Sequence, residues 1–196
     1  MNLAEIGGIL WRGILDPASA AKKILGLGLS VKFMINAALI VSIAGILLSY
    51  LSVALTSLMY LPDGAPESAM GIILLDQPIL GAAAQMAVMV LAGWGLGTIG
   101  PRMGGRGGFA ESFAVIVAVN AMMLVLSAVQ FLLMFALPFA GLIFGFAAMV
   151  WALWATVLMV KEAQGFATIG QSIPLCLIVF MLIVAVMTVV LVMMWG

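Results

Sequence analysis

The sequence predicts an all-α fold, a polytopic transmembrane bundle of five helices preceded by an amphipathic interfacial helical segment. Three observations carry that prediction. Five apolar stretches, about residues 33–56, 78–99, 112–136, 139–160 and 172–195, occupy most of the 196-residue chain. Each is long enough to cross a hydrocarbon core of about 30 Å at 1.5 Å rise per residue. Hydrophobic residues make up 66% of the chain and charged residues only 7%, a composition that a soluble core does not need. Finally, the basic residues fall on alternate connections, as the orientation of short membrane loops requires.

Residues 1–30 form the first region, expected as interfacial helices on the cytoplasmic side. On a helical wheel Leu3, Ile6, Leu10, Trp11 and Ile14 gather on one side, and Glu5 and Arg12 share the other. That face should lie at the interface with Trp11 among the headgroups. Asp16-Pro17 reads as an N-cap followed by a first-turn proline, opening a second short helix that carries Lys22 and Lys23.

Residues 31–196 form the five-span domain. Arg12, Lys22, Lys23 and Lys32 precede the first span, whereas the next connection holds Asp63, Glu67 and Asp76 and no basic residue. Arg102 and Arg106 follow span two, and Lys161 follows span four. The N-terminus is therefore expected in the cytoplasm, and an odd number of spans puts the C-terminal Trp195-Gly196 outside. Span one is not a cleaved signal despite Ser52-Val53-Ala54, because its apolar run exceeds the roughly 7–15 residues of such a signal and starts about thirty residues in.

Between spans one and two, Pro62-Asp63-Gly64 signals a turn, and Met70–Leu75 is too short to cross the membrane. The three carboxylates of this loop lack the spacing of a cation site. The second connection is the most distinctive stretch: six of the twelve residues from Gly97 to Gly108 are glycine. Without a Gly-Lys-Ser/Thr or a preceding strand it is no nucleotide motif, and a mobile or tightly turning loop that lets two spans pack is expected. Glu111 then acts as a first-turn acid. Lys161 and Glu162 close span four as a solvated helix end, and Thr168 and Gln171 stand at capping-box spacing before span five.

Polar residues within the spans are few: Asn36, Gln85, Asn120, Gln130 and Thr188. Gln85 and Gln130 should lie at similar depth and bond to each other. Gly93 with Gly97, and Gly141 with Gly145, are small-residue pairs that let helices approach. Pro138 starts a helix, and Pro78 and Pro174 fit first turns. No span carries a mid-membrane charge and there is no histidine, which argues against an ion pump. The single cysteine, Cys176, excludes an intrachain disulfide and a thiol metal site. No catalytic, cofactor-binding or metal residues are expected, and the balanced charge gives no reason to expect nucleic acid. Arg12, Lys22, Lys23, Lys32, Arg102 and Arg106 are candidate lipid-headgroup contacts.

The arrangement resembles the Yip family (Ypt-interacting proteins) in its compact bacterial form. Leu15-Asp16-Pro17 with a basic helix after it, Pro78, Gly104-Gly105-Arg106-Gly107-Gly108-Phe109, Trp151 and Trp154, and Glu162-Ala163-Gln164-Gly165-Phe166 carry the likeness over most of the chain. Histidine is frequent in that family where Gln164 stands, and glutamine cannot titrate. The resemblance implies a five-helix protein of the bacterial inner membrane without recognised catalysis. The expected function is a non-enzymatic scaffold or partner-binding protein, with lipid and other membrane proteins as partners. An accessory subunit of a larger membrane complex and a small transporter or lipid-handling protein are the alternatives.

Overall fold

The structure, a computed structural model, describes residues 3–60 and 77–195. Among them are seven α-helices and no strand: α1 (Leu3–Leu15), α2 (Pro17–Gly26), α3 (Val31–Tyr60), α4 (Pro78–Ile99), α5 (Phe109–Ala136), α6 (Pro138–Gln164) and α7 (Ile169–Trp195). A short 3-10 turn, Gly100–Met103, follows α4. Five of these, α3 to α7, are long and apolar enough to cross a membrane. The expectations for Pro62 to Asp76, with Asp63, Glu67 and the Met70–Leu75 stretch, lie outside the described residues.

Local chemistry sets the boundaries. The Asp16 carboxylate accepts the Ser19 N–H at 3.0 Å and Pro17 opens α2, since proline loses nothing where no helical partner exists. Pro78 and Pro138 open α4 and α6 in the same way. A single residue, Leu137, joins α5 to α6. α7 departs from expectation, because it begins at Ile169 and so places Pro174 inside the helix rather than in its first turn. The Gln171 N–H also finds the Thr168 backbone oxygen at 3.3 Å, not its hydroxyl, so this end is closed by backbone instead of a capping box.

α5 is the hub. Residues Ser112 to Val119 are all buried, eight in a row, which covers more than two full turns and requires neighbours on every side. α4, α6, α3 and the α1–α2 pair supply them. Small residues allow the approach: a Cβ on Gly93 would press on Phe113, one on Gly97 would meet the backbone of Gly108 and Phe109, and one on Gly141 would meet the Met134 backbone. Gln85 fills the space left by Gly45 on α3, and Gln130 fills that left by Gly145 on α6. The two glutamines thus turn to different partners, each drawn to its own glycine, rather than to each other.

The N-terminal helices dock on this bundle. Ile9, Leu10 and Ile14 pack against the core, whereas Trp11 and Leu15 stay exposed. Part of the apolar face expected to meet lipid therefore meets protein. The Trp151 indole N–H donates to the Ile14 carbonyl at 2.9 Å, one of the carbonyls a helix end leaves free. Pro17, Ala20, Ala21 and Ile24 bury the inner face of α2.

Candidate functional site: a glycine-wrapped glutamine

The end of the bundle that carries the basic residues is built around one side chain. α6 stops at Gln164 because Gly165 takes φ 66, a left-handed conformation that costs glycine little. The Gly165 N–H bonds the Glu162 carbonyl at 3.2 Å and the Phe166 N–H bonds that of Lys161 at 3.0 Å, the paired closure of a Schellman motif. Phe166, as that motif favours, is buried in the core.

Gln164 itself is fully buried. Its Nε2 donates to the Leu96 carbonyl at 3.1 Å and to the Ser112 hydroxyl at 2.9 Å. One amide thus ties the last turn of α4 to the first turn of α5 and the end of α6. The glycine-rich loop closes over it. Gly104, at φ 90, ends the 3-10 turn, and the Gly105 N–H reaches back to the Gly100 carbonyl at 2.9 Å. The Arg106 N–H then donates to the backbone carbonyl of Gln164 at 2.7 Å, satisfying an orphan of the helix terminus.

Space explains the glycines of this loop. A Cβ on Gly100 or Gly105 would lie under 3.0 Å from Gln164 Oε1, and one on Gly107 would collide with the Ala163 carbonyl. Oε1 has no hydrogen-bond partner. It faces the Cα hydrogens of the two glycines, a weak interaction that only residues without a side chain can offer at this distance. The loop therefore packs on a third helix, α6, in addition to joining the two it connects.

The two glutamates at this end are engaged in structure. Glu111 Oε2 accepts the Gly108 N–H at 3.0 Å, capping α5 from within its first turn. Glu162 stands between Lys161 at 3.3 Å and Lys22 of α2 at 3.7 Å. That carboxylate is largely covered and fastens α2 to α6, so it is more than the solvated helix end expected for it. Phe109 and Phe113 stack, with centroids 5.3 Å apart, behind the cap. Arg12, Lys22, Lys23, Lys32, Arg102 and Arg106 are all exposed. Among the described residues no group of three or more His, Cys, Asp or Glu could hold a metal ion.

Sequence reasoning placed the glycine loop, Glu111 and Glu162 at one end but not the role of Gln164. The only signal was the repeated loss of side chains at Gly100, Gly105 and Gly107, which implies a bulky group nearby without naming it.

The Yip1 domain matches residues 12–191, nearly the whole chain. Comparison with curated proteins and with solved structures gives no match. The chain belongs to the Yip1 domain family and is a multi-pass membrane protein.

Proposed function

We propose that this Yip1-domain protein is a non-enzymatic scaffold of the bacterial inner membrane that binds other membrane proteins, with its basic end and N-terminus in the cytoplasm and its C-terminus outside. The engagement of the polar groups carries this reading. Gln164, Ser112 and Glu162 are held in internal bonds that join helices, and Glu111 caps its own helix. What remains presented to the cytoplasm is a rigid surface with exposed Arg102 and Arg106 on a loop braced from beneath. Arginine suits such a role, because its planar fork recognises carboxylates in pairs of hydrogen bonds.

The test is purification in mild detergent, with co-purifying proteins identified for the native chain and for an Arg102→Ala/Arg106→Ala variant. Native chain should carry partners that the variant loses while staying inserted and abundant. A second arm replaces Glu111, Lys161 and Glu162 together by glutamine or alanine. If that variant stays inserted and abundant yet loses the whole phenotype of a deletion, the scaffold reading fails and chemistry at this surface takes its place.

A further inference from the structure

We propose that the corner between α1 and α2 is a re-entrant wedge, sunk to about the middle of the bilayer from the basic end, which makes the protein wider in that leaflet than in the other and favours membranes curved toward that side. Two independent contacts fix the depth. On α6, Lys161 and Glu162 mark the water edge, and Trp151, which holds the Ile14 carbonyl, lies ten residues inside it. At 1.5 Å per residue that is about 15 Å, half of a hydrocarbon core of about 30 Å. On α5, Glu111 marks the edge, and Met122 lies eleven residues inside, where it abuts Gly13. Neighbouring helices thus give the same depth for neighbouring residues of the corner.

α2 then returns toward the basic end. It starts at Pro17, beside the Trp151 level, and by Lys22 it has reached Glu162. Its buried face is made of Pro17, Ala20, Ala21 and Ile24, three of them small, which lets it seat closely against α5 and α6. The outer face is suited to acyl chains: Leu15 is 83% exposed and Trp11 63%. Lys22 extends to the edge as a long basic side chain does.

At this level seven helical segments share the leaflet, against the five spans that continue to the far side. Each added segment is about 10 Å across. Asp16 and Arg12 are exposed near the corner, and polar groups at such depth draw water and headgroups inward, thinning the leaflet around them. Excess protein area with a thinned leaflet on one side is the shape of a wedge. In the orientation proposed above this is the cytoplasmic leaflet, but the depth itself does not depend on orientation.

The experiment uses the full chain with Cys176→Ser and one new cysteine, at Leu15, Leu153 or Leu27, carrying a nitroxide in phosphatidylethanolamine–phosphatidylglycerol vesicles. Leu153 is an exposed position on α6 near the level of Trp151, and Leu27 follows α2 at the basic end. Collisions with oxygen and with a water-soluble nickel chelate read depth. The Leu15 label should match Leu153, favouring oxygen over nickel, while Leu27 favours nickel. A Leu15 label that behaves like Leu27 overturns the insertion. The second arm mixes small sonicated and large extruded vesicles and reads the partition of protein inserted with its basic end outward. Severalfold enrichment per unit lipid in the small vesicles is expected, and equal partition overturns the wedge.

Discussion

The two halves of the bundle are built on different terms. At the basic end the core is dense: Met34, Ala38, Val41 and Ser42 on α3, Ser112 to Val119 on α5, and Ser172, Leu175 and Val179 on α7 are all buried. Toward the far end α5 has no buried residue after Met122, and α7 has none among its described side chains after Val179. Among the described residues, Gly81 and Ala82 on α4, Gly141 and Ala148 on α6 and the two glutamine–glycine contacts hold that half. The difference teaches what membrane helices need. Lipid is as apolar as leucine, so apolar surface alone does not draw them together, and close packing with interhelical polar bonds has to do so. Those bonds are concentrated at Gln164.

The sharpest way to break the comparison is to make the same collision in each half. Gly107→Ala drives a methyl into the Ala163 carbonyl where a loop and two helix ends are fixed. It should cost about 4 kcal/mol or prevent folding, the range of overpacking that cannot relax. Gly141→Ala also strikes backbone, that of Met134. There only α5 and α6 need to part, with lipid on their outer sides, so a loss of about 1 kcal/mol is expected. Reversible unfolding by sodium dodecyl sulfate in mixed micelles measures both, and equal losses would remove the distinction.

Amide deletions probe the same contrast at smaller cost. Gln164→Ala removes two hydrogen bonds and leaves the Ser112 hydroxyl and a cavity behind, for about 3 kcal/mol. Gln130→Ala, in the far half, removes only the packing of its amide on Gly145 and should cost about 1 kcal/mol, the usual size of a point substitution. Trp151→Phe keeps an aromatic side chain, smaller than the indole, and loses the bond to Ile14, about 1 kcal/mol, and should appear as faster protease cleavage within residues 1–26 while the spans stay intact. Smallest is Glu162→Gln. The Lys22 side chain is 68% exposed, so the pair to α2 is screened and about 0.5 kcal/mol is the expected loss, shrinking further in high salt.

How far the sequence reveals this molecule depends on the range of the interaction involved. The five long helices were legible because length and apolarity alone decide who can cross a bilayer, and Asp16-Pro17 because a cap is local. α5 begins before its expected start and α6 runs past its expected end, since the first turn of α5 carries Glu111 and the last turn of α6 carries Lys161 and Glu162, which lie outside the purely apolar runs. Gln164 was legible only as a non-titrating replacement for histidine. Its partners stand 68 and 52 residues away, and nothing in the local pattern names them. Gln85 and Gln130 misled for the same reason: equal depth does not imply a shared face.

The bond from Trp151 to Ile14 spans 137 residues, and a chain grows from its N-terminus. At about 5–20 residues per second, the ribosome needs on the order of ten seconds to supply the indole after it has made the carbonyl. Through most of that interval α1 and α2 exist without either helix that receives them, because α5 is made only near its end and α6 last. Docking of the first two helices is thereby a late event of biogenesis, timed by synthesis of the sixth.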